Sequence, residues 1–259
     1  MTPSPRTPHR VGLIVPSSNV TMETEIPALL SGHPAVAGRG VTFHSSRATL
    51  HRVDPQSLRR MVTESDRCAR ELADARVDVV AYACLIAIMA SGPGAHEPEE
   101  ERIAAALAAA GSPVPVTSSA GALVRALQQL GASRVAIVAP YLKPLTDMVI
   151  RYLAGYGITV VDSVSLEVAD NVEVGRLDQA ALPDHVRRLD LAGADALVLS
   201  ACVQMPSLDV LNEVRRQAQV PVLTAATATA GEVLSLLGHD GPADPVGRSD
   251  LRVTRRSAV

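Results

Sequence analysis

The chain has 259 residues, 47% of them hydrophobic, enough for one large domain or two of ordinary size with a substantial core. Aromatics are only 2%, with no Trp and one Phe, so that core is built from Ala, Val, Leu and Ile. A net charge of -3 gives no basic footprint for nucleic acid, and the longest apolar stretch, Val79 to Ala90, is too short to span a bilayer.

Residues 1–9, with three prolines, read as a mobile tail without an apolar signal core. Beyond them, short apolar runs alternate with segments of helical period, the pattern of βαβ units and a mostly parallel sheet. The first half predicts strand Val11–Val15, helix Glu23–Leu30, strand Val41–Ser45, helix Pro55–Ala75, strand Val79–Ala83, helix Glu97–Ala110, strand Val114–Thr117 and helix Ser119–Leu130. The second predicts strand Arg134–Ala139, helix Pro144–Gly155, strand Thr159–Ser163, helix Leu182–Leu189, strand Ala196–Ser200, helix Ser207–Gln217, strand Val220–Thr224 and helix Ala226–Leu237. HRVD, from His51, reads as loop, and the residues from about Gly241 onward read as a second mobile tail.

The pattern repeats. VGLIVPSSNVTMETEI matches RVAIVAPYLKPLTDMV, and VPVTSSAGALVRALQQLG matches VPVLTAATATAGEVLSLLG, with Pro115, Val116 and Ala120 against Pro221, Val222 and Ala226. Between them lie two similar apolar runs, DVVAYACLIAIM and DALVLSACVQMPS. The expected fold is two similar Rossmann-like or flavodoxin-like parallel-sheet α/β domains, related by a pseudo-twofold axis, with the site in the cleft between them. The chain crosses near Thr117 and returns near Val222. The halves are then residues 1–117 plus 223–259, with the last helix packed on the first domain, and residues 118–222.

Each of the two runs ends its strand in Ala-Cys, at Cys84 and Cys202. The carboxyl end of a strand is where open α/β sheets place their chemistry. A lone free cysteine usually just packs in the core. Matched placement in both halves favours a functional pair facing across a cleft, one sulfur as base or nucleophile and the other as acid. Each cysteine is followed by a turn into helix, whose N–H groups are expected to lower the thiol pKa. The residues alone do not say which sulfur attacks. Cys68 lies in a charged amphipathic helix without a counterpart and reads as structural. Three cysteines cannot all pair, and they lack metal-ligand spacing, which fits a reduced cytoplasmic setting.

Neutral donors accompany the cysteines. PSSN, Pro16 to Asn19, either caps the next helix or cradles an anion. Ser118 with Ser119, and Thr224 with Thr227, sit at comparable turns, and all these sets together could converge on a small dicarboxylate. Tyr141 stands roughly where Asn19 stands in the first half, or is an edge aromatic. Asn171 in ADNVEVG either binds or shapes a turn. For HSSR, His44 to Arg47, a cleft role and a strand end are both open, a His–Cys couple included. There is no glycine-rich phosphate loop and no G-x-S-x-G elbow.

VGLIVPSSNVTMETEIPALL, FHSSR, ESDRCARELADARVDVVAYACLIAIMA, SSAGALV, APYLKPLT, DNVEVGR and LSACVQMPSL together closely resemble the maleate cis-trans isomerase family. That family lies in the aspartate/glutamate racemase superfamily, with arylmalonate decarboxylase and hydantoin racemase. The resemblance runs from about Val11 to about Leu237, and the PSSN-TMETE and SACVQMPS blocks are its most specific parts. It implies conversion of maleate to fumarate through a covalent succinyl-cysteine intermediate, without cofactor or metal, by a cytoplasmic homodimer. Cys84 falls on the family's nucleophile and Cys202 on its proton donor. Asn19, Tyr141 and Asn171 fall on the carboxylate-binding positions, helped by backbone groups at Leu85, Ile86, Val203 and Gln204. The longer C-terminal tail and the spacing of GHPAVAGRG depart from the pattern but touch no catalytic block.

The competing readings are a two-cysteine amino-acid or hydantoin racemase or epimerase, and a non-catalytic small-ligand sensor. Solvent deuterium at a retained chiral centre marks the racemase. Binding without turnover marks the sensor. A decarboxylase fits less well, because the decarboxylating relatives need only the second cysteine.

Overall fold

The structure, a computed structural model, describes residues 7–50 and 55–239. The loop expected at His51 and the tail from Gly241 lie outside the described residues. The strands are β1 (His9–Pro16), β2 (Val41–Ala48), β3 (Val79–Tyr82), β4 (Val116–Ser118), β5 (Arg134–Ala139), β6 (Thr159–Ser165), β7 (Ala196–Ser200) and β8 (Val222–Thr224). The helices are α1 (Met22–Ser31), α2 (Pro34–Ala37), α3 (Pro55–Asp74), α4 (Leu85–Met89), α5 (His96–Ala109), α6 (Ser119–Leu130), α7 (Lys143–Ala154), α8 (Asn171–Val174), α9 (Leu182–Val186), α10 (Leu208–Gln217) and α11 (Ala225–Leu236).

The strands form two four-stranded sheets, ordered β2-β1-β3-β4 and β6-β5-β7-β8, with every pairing parallel. The second order is the first advanced by four strands, so the sequence repeat is also a repeat of topology. Central strands covered by helices on both faces read as unbroken apolar runs. β3 and β7 are buried at every residue, whereas the edge strand β2 alternates with solvent. Close packing sets one glycine. A Cβ on Gly12 of β1 would meet Val80, Leu72 and Val77 at 3.1 to 3.2 Å. α11 follows the last strand of the second sheet yet packs on α1, α6 and β3.

β4 begins at Val116, two residues after the expected Val114, because Pro115 has no N–H to give the ladder. α2, α4 and α8 are four or five residues long and were not expected from the sequence. In α4, all of Leu85, Ile86, Ala87, Ile88 and Met89 are buried, so the helix carries no apolar period to read.

Candidate active site

In each sheet the chain leaves the first strand for one neighbour and then returns to the other side, which makes a topological switch point. Ligands of open α/β sheets bind outside the strand ends at such points. In the first sheet the switch point lies between β1 and β3, whose ends carry Asn19 and Cys84. In the second it lies between β5 and β7, whose ends carry Tyr141 and Cys202. One cavity joins them. Its walls are Pro16, Asn19, Leu50, Cys84, Leu85, Ile86, Tyr141, Asn171, Cys202, Val203 and Gln204. Both cysteines and all seven residues expected to bind the carboxylates therefore meet in a single place. Leu50 was not anticipated. It follows β2 by two residues, and nothing in its sequence context marks it.

The donors are neutral, and no Lys or Arg is among the wall residues. Asn19 takes the capping role expected of it. Its Oδ1 accepts from Thr21 and Met22 N–H at 3.0 and 2.9 Å, which caps α1. Its Nδ2 has no partner among the described residues and remains available. Leu85 and Ile86 are the first residues of α4, so their N–H groups have no intrahelical acceptor. Asn171 opens α8, donating from Nδ2 to Ser18 Oγ at 2.7 Å. Tyr141 donates from its hydroxyl to Ala201 O at 3.3 Å, and burial holds that hydroxyl well above the ordinary tyrosine pKa. The Gln204 N–H donates to Cys202 Sγ at 3.4 Å.

Other expected donors are engaged elsewhere. Ser118 caps α6 by accepting from Gly121 N–H at 3.0 Å and donates to Glu100 at 2.6 Å. Thr224 and Thr227 close a reciprocal capping box on α11. Neither pair, nor Ser119, reaches the cavity wall. His44 shares a proton with Thr42 at 3.1 Å on the edge strand and is no partner for either cavity thiol. Arg47 pairs with Glu23 and donates to the carbonyls of Ser17, at 3.1 Å, and Asn19, bracing the PSSN turn from its own half. Cys68 is buried in α3, away from the cavity.

Cys84 sits at the N-cap of α4 with φ 86° and ψ 70°, a left-handed conformation rare outside glycine. The expected lowering of the thiol pKa does not hold in the empty cavity. Burial pushes Cys84 up to about 12, with the Ala87 N–H acting in the opposite sense and the neighbouring Cys202 adding a smaller upward push. Cys202 is also raised by burial, against the lowering effect of the Tyr141 hydroxyl and of the Gln204 and Met205 N–H groups. No helix begins directly at Cys202, since α10 starts only at Leu208. Desolvation thus outweighs the nearby donors at both sulfurs. A raised thiol pKa means that thiolate accumulates only as pH rises. Alkylation of Cys84 by a small reagent is therefore expected to accelerate by about tenfold per unit from pH 7 to pH 9. A rate that levels off below pH 8 would contradict the burial argument.

Paired thiols at paired switch points, with amide and hydroxyl donors around one cavity, define a two-cysteine α/β enzyme of the Asp/Glu racemase kind. The sequence profile of the arylmalonate decarboxylase family matches residues 11–249. A maleate isomerase of Geobacillus stearothermophilus is 54% identical over 229 residues, 88% of this chain and 91% of the relative. The crystal structure of a Pseudomonas putida S16 maleate isomerase variant with maleate superposes with a TM-score of 0.87. It is 48% identical and covers 89% of this chain and 92% of that one. A Nocardia farcinica maleate cis-trans isomerase mutant with a covalently bound succinylcysteine intermediate gives a TM-score of 0.85. It is 49% identical, with coverage of 89% and 93%. The chain belongs to the arylmalonate decarboxylase family, among its maleate isomerases.

Proposed function

We propose that this protein isomerises maleate to fumarate by transient addition of Cys84 to the double bond, with Cys202 handling the proton. The observation that carries this reading is the convergence of both cysteines on one cavity with neutral donors and no cationic side chain in its wall. The identity to maleate isomerases over most of the chain supports the choice of substrate.

The bonds dictate the sequence of events. A carbon–carbon double bond does not rotate at ambient temperature, so it must be removed for a time. Burial keeps both thiols protonated in the empty cavity, so the reactive form arises when Cys84 releases its proton to solvent, leaving Cys84 as thiolate and Cys202 as thiol. Cys84 Sγ bonds to one olefinic carbon, and the π electrons move toward the other carbon and its carboxylate. Fixed N–H donors stabilise the charge that develops there. Cys202 then delivers its proton to that carbon and becomes the thiolate. The succinyl thioether now has a single bond that turns. Cys202 takes a proton back, the double bond re-forms as trans, and Cys84 leaves as thiolate. The mutual repulsion of two thiolates opposes their ionising together, so Cys202 keeps its proton while Cys84 attacks.

Neutral donors suit this cycle, because one end of the substrate must swing while the other is held. Asn19 Nδ2, Tyr141 OH, Asn171 and the N–H groups of Leu85, Ile86 and Val203 supply them. The halves that close on the substrate are residues 1–117 with 223–259, and residues 118–222. The packing of α11 on α1 and β3 supports the return of the last helix to the first half. The reading carries with it a homodimer in the cytoplasm, supported by the family resemblance.

Intact mass spectrometry after mixing with maleate tests the proposal. A gain of one substrate mass, mapped to Cys84, is expected, and turnover with no adduct under any quench would overturn the addition step. Asn19→Ala is expected to raise KM and to lower kcat by about a hundredfold, the effect of losing one oxyanion donor worth ~3 kcal/mol. A normal kcat in that variant would remove Asn19 from the site.

A further inference from the structure

The cavity leaves only about 10 Å³ for the centres of water molecules, so its walls lie close together. Within its own half the PSSN turn is held by Ser17 N–H donating to Ala48 O at 2.7 Å and by the Ser18 hydroxyl donating to Leu50 O at 2.6 Å. Asn19 N–H donates to Pro16 O at 2.9 Å, and Arg47 holds the carbonyls of Ser17 and Asn19. The remaining carbonyl, of Ser18, is held from the opposite half. Gln204 Nε2 donates to it at 3.1 Å, and Gln204 Oε1 accepts from Val20 N–H at 2.9 Å. The same Nε2 donates to Asn171 O at 2.7 Å within the second half. One buried amide thus uses one hydrogen and one lone pair across the cleft and its other hydrogen within its own half.

Behind this amide lies Gly175, outside the cavity wall. Its φ is -70°, so the backbone does not require glycine there. A Cβ there would come within 2.7 Å of both Gln204 Nε2 and Val20 Cγ2, so both side chains would have to shift. Capping fixes the Asn19 side chain within its own turn, but it does not fix that turn relative to Cys202. The Gln204 bonds do, beside the Asn171 bond to the Ser18 hydroxyl, and the Gln204 N–H also touches the Cys202 sulfur.

We propose that Gln204 is a positioning residue whose side-chain amide, seated against Gly175, straps the Pro16–Asn19 turn across the cleft and so sets where Asn19 meets a substrate carboxylate. Its effect on turnover rests on the isomerase reading, but the strap itself does not.

Gln204→Met keeps the bulk and removes all three bonds, while Gly175→Ala displaces the amide without touching the cavity. In each, KM for maleate is expected to rise, and kcat/KM to fall about tenfold to a hundredfold, the effect of a small misplacement of a binding group. The double variant should match Gln204→Met alone, because both changes act through one contact. Without substrate, hydrogen exchange at the Val20 amide should accelerate by at least about tenfold in both single variants, as a strapped segment opens locally. Wild-type KM in both single variants, multiplied losses in the double variant, or unchanged Val20 exchange would each overturn the strap. If the wild-type protein fails to turn over maleate, the isomerase reading falls, and the exchange measurement still decides the role of Gln204.

Discussion

Cys84→Ala is expected to abolish isomerisation, with a loss of about 10⁴-fold or more and no succinyl adduct on the protein. Loss of a covalent nucleophile is among the largest single effects in enzymology, because no neighbouring group takes over the bond. The cavity offers no substitute, since Cys202 is its remaining thiol and its hydroxyl belongs to Tyr141, held firmly protonated by burial. Cys84→Ser separates addition from proton transfer. Serine keeps the shape and the hydrogen bonding but loses the polarisable sulfur and its accessible anion. Near-wild-type turnover in the serine variant would show that no bond forms at position 84. Because alanine inherits the same left-handed backbone, the folded fraction of each variant should be checked by circular dichroism beside the rate.

Cys202→Ser is expected to slow turnover by about 10²- to 10⁴-fold, the range for losing a positioned acid–base group, while the Cys84 adduct builds up. Addition and elimination are made unequal by this change. The sulfur at 84 still attacks, and a proton reaches the carbon slowly from serine or water. The weak base at 202 then fails to take it back. Mass spectrometry should find the protein largely succinylated after incubation with maleate. A variant that is slow yet stays unmodified would place Cys202 ahead of bond formation rather than after it. The two cysteine variants thus divide the reaction between two sulfurs that the sequence repeat makes look alike.

Much of this was legible before any coordinates. The apolar runs at Val79 and Ala196 are buried on both sheet faces, so composition alone marks them as central strands. The repeat of PSSN against APYL placed Asn19 and Tyr141 at equivalent strand ends, and both line the cavity. Other features were not legible, for reasons that differ. LIAIM in α4 has no exposed face and therefore no period. Ser118 and Thr224 could bind or cap with the same hydroxyl, and only their neighbours in space decide for capping. The thiol pKa values followed burial, which depends on how the halves close rather than on the residues beside each sulfur. The Gln204 contact spans 184 residues from Val20, and no local pattern announces it.

The left-handed twist at Cys84 has a consequence for how such a chain changes over time. Glycine would adopt that twist freely, whereas any other residue carries of order 1 kcal/mol of strain there. Drift toward a sturdier fold and retention of chemistry therefore pull in opposite directions at this one codon: the substitution that best relaxes the chain deletes the atom that makes the bond.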